Sequence, residues 1–241
     1  MVDLKNKVCV ITGSGRGLGI AIAQTLGEAG ADIVGCDIRQ ESLVQMETTL
    51  GESGIRVHTV KADVSDEKEA FNCVQEALVR FGRLDVLVNN AAVDITLPLD
   101  EMAVKDWDKI LAVNLRGPFL LSKFAFSFMK ERASGHIVNI VSTASKRAWA
   151  NAIAYHASKW GLLGFSHALH VEGRKHNIKV TAVVSGGMKT PFLLDRFPDI
   201  DTSTLQDPLN VARTVKFILQ QPDETVIPEV MVIPMKETSW P

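Results

Sequence analysis

The 241-residue chain is poor in the features that mark several classes of protein. It has only three cysteines and a formal net charge of −2, which argues against a disulfide-stapled secreted fold and against general attraction to nucleic acid or anionic membranes. No apolar run approaches the roughly 18 residues needed to span a bilayer. Its 46% hydrophobic and 22% charged residues are typical of an ordinary soluble globular protein.

The N-terminal residues and the cysteines predict where the protein works. Residues 1–7 lack the apolar stretch of a signal peptide and lead straight into a strand. Cys9, Cys36 and Cys73 have no metal-ligand spacing, so we expect reduced, packed thiols and no bound metal. We therefore predict a cytoplasmic protein with neither a membrane nor a nucleic acid as partner.

Apolar runs of strand length alternate with helical stretches along the whole chain. Strands are predicted over residues 8–11, 31–36, 55–60, 84–88, 136–141, 179–184 and 225–233. Helices are predicted over residues 18–29, 40–53, 66–81, 101–132, 153–176 and 208–220, with a lid or substrate loop over about 187–207. Short buried strands separated by helices predict an α/β fold, a single domain over residues 1–241 with a doubly wound parallel sheet of about seven strands.

The first strand runs into a glycine cluster, Thr-Gly-Ser-Gly-Arg-Gly-Leu-Gly over residues 12–19. Gly13, Gly17 and Gly19 allow a sharp turn and a close approach to a pyrophosphate, and the helix behind them offers free N–H groups. Asp37, at the end of the second strand, can accept hydrogen bonds from adenosine ribose hydroxyls. A glycine cluster between strand and helix, with an acid in this place, predicts a dinucleotide site on a Rossmann fold.

Two arginines bear on the choice between NAD and NADP. Asp37 would repel the additional 2′-phosphate of NADP, which favours NAD. Arg16, within the glycine cluster, and Arg39, two residues after Asp37, could each pair with that phosphate, because a guanidinium suits phosphate well. NADP therefore stays open as the alternative, as does the interpretation of both arginines as solvated surface residues.

The only tyrosine of the chain, Tyr155, is followed four residues later by Lys159. On a helix these two positions share a face, so the phenol and the ammonium can point into the same space. With the nicotinamide charge also near, we expect the tyrosine pKa to fall from about 10 to about 7–8. Such a phenol can exchange protons with an alcohol or carbonyl oxygen. Alone, the pair also fits an amphipathic helix with a half-buried tyrosine and a solvated lysine.

Together, the glycine cluster and this pair make the chain resemble the short-chain dehydrogenase/reductase family over almost its whole length. Asn114, Ser142, Tyr155 and Lys159 match the family's catalytic tetrad. The resemblance implies hydride transfer between NAD(P) and a secondary alcohol or ketone. The resemblance implies that Tyr155 is the general acid or base and that Ser142 bonds the substrate oxygen. It also implies that Lys159 lowers the tyrosine pKa and bonds the nicotinamide ribose.

The resemblance also implies which residues contact the cofactor. Asp63-Val64 resembles the pair that contacts adenine, and Asn89-Asn90-Ala91-Ala92 resembles the family's Asn-Asn-Ala-Gly motif. The implied cofactor-binding residues are Gly13, Ser14, Arg16, Gly17, Leu18, Gly19, Asp37, Ile38, Asp63, Val64, Asn90, Ala91, Tyr155, Lys159, Gly186 and Thr190.

The chain departs from the family pattern at three places. Ala92 replaces the glycine of the Asn-Asn-Ala-Gly motif, which could alter the backbone beside the nicotinamide. Ser185 stands where proline is usual in Pro-Gly-x-x-x-Thr, which leaves the stiffness of that turn open. The last strand is followed by no Asp-Gly-Gly, so substrates of better-known members do not transfer safely.

Pro118 lies four residues after Asn114 in a helical stretch. Proline has no N–H for the carbonyl at i−4, which here belongs to Asn114 itself. A freed carbonyl needs a partner, usually water, and the family mechanism relays protons through a water held near this asparagine. An ordinary proline kink, or a helix that begins near Pro118, explains the same pattern.

Several residues are candidates for the substrate side. Lys146 and Arg147 could attract an anionic substrate, although a solvated charge pair explains them as well. His156, beside Tyr155, points elsewhere on the helix and is predicted to pack rather than to react. An apolar cleft is predicted to contain Trp149, Met188, Phe192, Leu193 and Leu194.

We therefore predict an NAD-favouring oxidoreductase that acts on a small secondary alcohol or its ketone. The alternatives are an NADPH-dependent 3-oxoacyl-thioester reductase and, in another class, a weakly catalytic dinucleotide-binding regulatory or scaffold protein. The helices over 101–132 and 153–176 carry apolar residues over much of their circumference, including Phe119 and Trp160. Because such helices need cover on more than one side, we predict a homotetramer.

Overall fold

The computed structural model describes residues 2–237 and contains one seven-stranded sheet in which every neighbouring pair is parallel. Along the sheet the strands follow the order β3-β2-β1-β4-β5-β6-β7. They are β1 (Val8–Thr12), β2 (Asp32–Asp37), β3 (Val57–Lys61), β4 (Val86–Asn89), β5 (Gly135–Ser142), β6 (Ile178–Ser185) and β7 (Glu229–Val232). The predicted fold class and strand number are confirmed.

Eight α-helices connect the strands within the described residues. They are α1 (Gly17–Gly27), α2 (Gln40–Glu52), α3 (Glu67–Phe81), α4 (Val104–Leu111), α5 (Gly117–Glu131), α6 (Ile153–Arg174), α7 (Pro191–Leu194) and α8 (Pro208–Leu219). Asp66 caps α3 by accepting the N–H groups of Lys68 and Glu69. In residues 2–237, no helix is both long and apolar enough to cross a membrane.

The five inner strands bury both of their faces, which explains their mostly apolar sequences, whereas the edge strands β3 and β7 are only partly buried. In β1, Cys9 and Ile11 join the core beneath α1, α2 and α8, while Val8 and Val10 join the core beneath α3 and α5. Helix α6 lies on the same side as α5 and packs Leu162 against β6. Cys9, Cys36 and Cys73 are free and buried in these cores.

The long helix predicted over residues 101–132 is interrupted. It consists of α4, a π-helical turn over Ala112–Arg116, and α5, whose first turn contains Pro118. The Gly117 N–H bonds the Ala112 carbonyl, five residues back. Because proline cannot donate to the Asn114 carbonyl, the wider turn fits this position. The regular helical hydrogen-bond pattern is thus interrupted at Asn114, and a new α-helix begins near Pro118.

The last strand is shorter than predicted. The predicted strand over 225–233 is ordered as β7 only over Glu229–Val232, directly after Pro228. Pro228 offers its carbonyl to the Ala182 N–H but has no N–H for the ladder. The predicted strand over 55–60 likewise begins at Val57, and the helices over 18–29 and 153–176 end two residues early, at Gly27 and Arg174.

The strand order reverses direction between β1 and β4. From β1, the chain builds outward to β2 and β3 on one side and to β4, β5, β6 and β7 on the other. In such sheets a crevice opens at the carboxyl ends of the two strands where the order reverses. The glycine cluster and the loop that follows β4 both lie there, so this edge is where a site is expected.

At the opposite, amino-terminal edge a buried carboxylate ties the first strand to the fourth. The Asp85 carboxylate accepts the Val8 N–H at 2.9 Å and two bonds from Arg83 at 2.6 Å each, with Lys7 at 3.8 Å and Arg132 at 3.9 Å. Burial works against ionisation of Asp85, but these donors outweigh it and hold its pKa below the ordinary 3.8.

We expect Asp85→Asn to lower the free energy of unfolding by about 2–3 kcal/mol at pH 7, because Arg83 and the Val8 N–H lose a charged acceptor. Since the folded-state pKa is depressed, the difference from wild type is fully present above about pH 5. It disappears as pH falls through the folded pKa, below 3.8. Urea unfolding across this range measures it, with the exposed Asp100→Asn as control. A difference that does not depend on pH would contradict the ion-pair interpretation.

Candidate active site

The glycine cluster forms a tight turn between β1 and α1. Gly17 has a φ of +57°, which side-chain-bearing residues rarely adopt. A Cβ on Gly19 would lie 2.0 Å from the Gly13 carbonyl oxygen, so only glycine fits there. The turn therefore brings bare backbone to the crevice at the carboxyl end of β1.

Hydrogen bonds connect the loop after β4 to this turn. The Asn90 side-chain amide donates to the carbonyls of Thr12 at 2.9 Å and Gly13 at 3.1 Å, and the Thr12 hydroxyl accepts the N–H groups of Asn90 and Ala91. Ala92 is not among the described non-glycine residues with positive φ. Alanine in place of the family's glycine therefore does not have to adopt a left-handed backbone here.

Asp37 closes the far side of the turn. Its carboxylate is 4% exposed and accepts the Gly15 N–H at 3.0 Å and the Arg39 guanidinium at 3.1 Å. Arg16 pairs instead with Asp195 at 2.8 Å, on the segment that follows α7. Both arginines thus have acidic partners, and the Arg16–Asp195 pair lies at the surface, with side chains 44% and 60% exposed. Whether either arginine meets a cofactor phosphate stays a prediction.

A continuous groove runs along the glycine turn. It consists of two adjoining cavities, of about 280 and 140 Å³, that share Gly13, Arg16, Arg39, Ala91 and Ala92. One end is lined by Asp37, Ile38, Asp63 and Val64, and the other by Gly17, Leu18, Tyr155, Lys159 and Thr190.

The groove suits a dinucleotide. Its wall at Gly13 and Gly17 is bare backbone, and α1 begins at Gly17, so its N-terminus opens onto the groove. The Arg39 Nε is buried without a hydrogen-bond partner among residues 2–237, so a donor remains for a ligand. No group of three or more His, Cys, Asp or Glu side chains within that range is arranged to hold a metal ion.

Three predicted site residues lie behind the wall of the groove rather than on it. Ser14 is fully buried, with its hydroxyl 3.4 Å from the Cys36 carbonyl, and Gly19 packs under the turn. Asn114 is also fully buried, and its amide bonds Val93 N and O at 2.8 Å each and the Ser158 hydroxyl at 3.1 Å. The Asn114 side chain therefore fixes the loop after β4 against α6.

Tyr155 and Lys159 lie on one face of α6, as predicted, but both are buried. The Lys159 ammonium lies 5.6 Å from the Tyr155 ring centroid and donates to the Ile140 carbonyl at 2.9 Å. Burial lowers the pKa of Lys159 to about 8. The interpretation of the pair as a half-buried tyrosine and a solvated lysine is thus wrong.

The protein's own groups shift the tyrosine pKa upward. Burial raises the pKa of Tyr155 to about 12, while a hydrogen bond with the Ser142 hydroxyl lowers it and the nearby Asp94 carboxylate raises it. Desolvation disfavours the phenolate, and burial was not visible in the spacing of Tyr155 and Lys159. The expected value of about 7–8 includes the nicotinamide charge, so it stays a prediction for the protein with its cofactor.

A second cavity, which we call the side cavity, opens beyond Tyr155. It has a volume of about 360 Å³ and contains Ser142 and Tyr155 on one wall. Four of the five predicted cleft residues contribute to it, namely Trp149, Met188, Phe192 and Leu193, whereas Leu194 does not. Lys146 pairs with Glu229 at 2.7 Å and is not part of its lining.

His156 holds one wall of the side cavity in place. Its Nδ1–H donates to the Ala144 carbonyl at 2.8 Å, and its Nε2 accepts the Trp149 N–H at 3.1 Å. Both partners allow only this tautomer. Its ring also meets the Trp149 ring edge-on at 4.3 Å. His156 is thus a packed residue, as predicted.

The end of β6 forms the opposite wall. The Ser185 hydroxyl donates to the Val141 carbonyl at 3.1 Å, a bond that the usual proline cannot make and that ties the turn to β5. Glu237 accepts the Gly187 N–H at 2.9 Å and joins Gly186 in the lining of the side cavity. Glu237 was not predicted from the sequence.

The side cavity also contains an ion pair that was not predicted from the sequence. Arg196, two residues after α7, pairs with Asp94 in the loop after β4, and both line the cavity. The only signal in the sequence is two adjacent charged residues, Asp195 and Arg196, within an otherwise apolar stretch over residues 192–197. Nothing there identifies a partner 102 residues away.

Comparisons with known proteins agree with this geometry. Residues 7–201 match the family described as short chain dehydrogenase. The chain belongs to the short-chain dehydrogenase/reductase family. Its relatives include an uncharacterized oxidoreductase of Thermotoga maritima, 38% identical over 78% of this chain and 73% of that protein. Another is the short chain dehydrogenase/reductase dpchG of Colletotrichum higginsianum, 37% identical over 81% and 74%.

Solved structures of the family have the same fold. A metagenomic short-chain oxidoreductase in complex with NADP is 34% identical, with a TM-score of 0.86 over 97% of this chain and 100% of that one. Levodione reductase is 28% identical, with a TM-score of 0.90 over 95% and 97%. This short-chain dehydrogenase/reductase is therefore an oxidoreductase, and its predicted nicotinamide dinucleotide cofactor is confirmed at the level of NAD or NADP.

Because the chain has one tyrosine, the tyrosinate absorbance of the whole protein reports Tyr155 alone. At pH 10, where a free tyrosine is half ionised, a pKa of about 12 leaves about one hundredth of the phenol ionised. We expect Ser142→Ala to raise the pKa further, because a hydrogen bond that favours the phenolate is lost. Ultraviolet titration measures this, with circular dichroism to verify folding and Tyr155→Phe as the blank. A midpoint at or below pH 10 in folded protein would contradict the effect of burial.

Proposed function

We propose that the protein transfers a hydride between a nicotinamide cofactor in the groove and a small secondary alcohol or ketone in the side cavity. The observation that carries this proposal is the position of Tyr155, which lines both cavities. A proton donor and acceptor between cofactor and substrate is what oxidation of an alcohol requires. When bound, the nicotinamide accepts or supplies the hydride.

Tyr155 is the proposed general base in alcohol oxidation and the general acid in ketone reduction. Ser142 ends β5 beside it and hydrogen-bonds the phenol, so its hydroxyl is placed to bond the substrate oxygen as well. Burial keeps the phenol protonated in the protein's own field, which suits it to donate a proton to a carbonyl oxygen.

Lys159 supplies the positive charge that phenolate formation requires. Its Nζ is held by the Ile140 carbonyl and lies above the tyrosine ring, in the wall of the groove. We propose that it favours the phenolate and contacts the cofactor ribose. Asn114 acts through position, because its side chain fixes Val93. Pro118 has no N–H to donate to the Asn114 carbonyl, and we propose that this carbonyl bonds a relay water.

To test the proposal, a panel of secondary alcohols and ketones is assayed with NAD and NADP by nicotinamide absorbance. We expect turnover of at least one pair, and loss of at least about a thousandfold in kcat for Tyr155→Phe with cofactor affinity within a few-fold of wild type. The exposed Asp100→Asn variant serves as the control. Dinucleotide binding without turnover of any compound would favour the regulatory or scaffold alternative.

We propose that NAD is preferred, because the buried Asp37 carboxylate faces the end of the groove where an adenosine ribose would lie. The NADP complex of the metagenomic relative and the guanidinium of Arg39 support NADP as the alternative. The Asp37–Arg39 pair could serve either cofactor, since Arg39 is the partner that a 2′-phosphate would take over.

Asp37→Ser should shift the ratio of NAD to NADP affinity toward NADP by about 1–3 kcal/mol, because a like-charge clash is removed and Arg39 is released to pair with phosphate. Fluorescence titration of each cofactor measures this ratio. Asp63→Ser, at the adenine end of the same groove, is the matched control. A ratio that Asp37→Ser leaves unchanged would show that Asp37 does not govern the choice.

We propose that the protein is a cytoplasmic homotetramer in which residues 187–207 act as a lid. Phe119 on α5 and Trp160 on α6 are 46% and 52% exposed, although both are large and apolar. A second subunit over this face would remove them from water. Sedimentation at micromolar concentration should give a tetramer, and Trp160→Glu should shift it toward smaller species. A monodisperse wild-type monomer would contradict the proposal.

A further inference from the structure

The Asp94 carboxylate in the side cavity is only half satisfied. Its side chain is 5% exposed, and its Oδ2 receives the Arg196 guanidinium. Its Oδ1 is buried and has no hydrogen-bond partner among residues 2–237. A buried carboxylate oxygen without a donor is unfavourable and calls for an explanation.

Arg196 is held in a fixed orientation beside this carboxylate. Its Nε donates to the Phe192 carbonyl at 2.9 Å, and its Nη1 lies 3.4 Å from the Thr96 hydroxyl. Its guanidinium lies 4.4 Å from the Phe192 ring centroid and 5.3 Å from that of Phe197. The cation therefore cannot swing freely, and it neutralises Asp94 without filling Oδ1.

We propose that Asp94 and Arg196 recognise a second hydroxyl group on the substrate, remote from the carbon that is oxidised. This inference rests on the proposed function, and it names the substrate class as uncharged diols or hydroxyketones with an apolar body. A hydroxyl both donates and accepts, so it can satisfy Oδ1 and receive a bond from the guanidinium.

Other polar groups fit this place less well. A substrate carboxylate would meet Asp94 and Glu237, both of which line the cavity, while the charge of Arg196 is already paired. A substrate ammonium would lie against the guanidinium, and a second ketone has no proton for Oδ1. The apolar lining of Trp149 and Leu193 suits the carbon skeleton between the two oxygens.

The test compares cyclohexanol with the 1,2-, 1,3- and 1,4-cyclohexanediols as matched probes. In wild type, at least one diol should exceed cyclohexanol by about tenfold or more in kcat/KM, mainly through KM. Asp94→Asn, which keeps the side-chain shape, should lower kcat/KM at least about tenfold more for the preferred diol than for cyclohexanol, so that most of the preference is lost. The ratio of the two substrates is the readout, because the Asp94 carboxylate also acts on the pKa of Tyr155 and its loss can alter turnover of both. Asp199→Asn, exposed on the same 187–207 segment, should behave as wild type. If no diol is preferred, or if Asp94→Asn lowers diol and cyclohexanol alike, the inference is overturned.

Binding measurements separate this inference from the proposed function. If no probe is turned over with either cofactor, the proposed reaction fails for this substrate class, and equilibrium binding followed by Trp149 fluorescence decides the inference. Trp149→Phe identifies the signal, because Trp149 lines the side cavity. Tighter binding of a diol than of cyclohexanol, lost in Asp94→Asn, supports recognition of the second hydroxyl. Equal binding of both overturns it.

Discussion

The bond from the Lys159 ammonium to the Ile140 carbonyl is the interaction on which the site depends. It holds a buried positive charge against the carboxyl-terminal end of β5. This strand ends at Ser142 and places the Ser142 hydroxyl beside Tyr155. A buried ammonium is tolerated only with such partners, and burial still lowers its pKa to about 8. The end of β5 and one face of α6 are thereby held together, and the groove and the side cavity meet at Tyr155.

The 187–207 segment links the two cavities through consecutive charged residues. Asp195 pairs with Arg16 in the glycine turn, while Arg196 pairs with Asp94 in the side cavity. The first pair is exposed and contributes little to stability, whereas the second is largely buried and costly to break from one side. The segment is therefore held mainly through the side cavity, where we propose that a second hydroxyl is recognised.

Much of the fold was predictable because parallel strands buried on both faces leave continuous apolar runs, and Gly13 to Gly19 leave a local pattern of glycines. Features that depend on contacts between distant parts of the chain were not predictable. The sign of the Tyr155 pKa shift follows from burial, which the spacing to Lys159 does not reveal. The Asp94–Arg196 pair joins residues 102 positions apart. Pro118 predicted that the helix is disturbed at Asn114. Only the structure shows that the Asn114 side chain bonds Val93 and Ser158.

Transfer of deuterium from an alcohol labelled at its carbinol carbon tests the central claim most directly, because it follows the hydride itself. With wild-type protein, mass spectrometry of the reduced cofactor should find one deuterium per molecule of ketone formed. Tyr155→Phe and Lys159→Met should bind the cofactor yet give almost no labelled product. Labelled cofactor formed by Tyr155→Phe at the wild-type rate would contradict the account and remove Tyr155 from the chemistry.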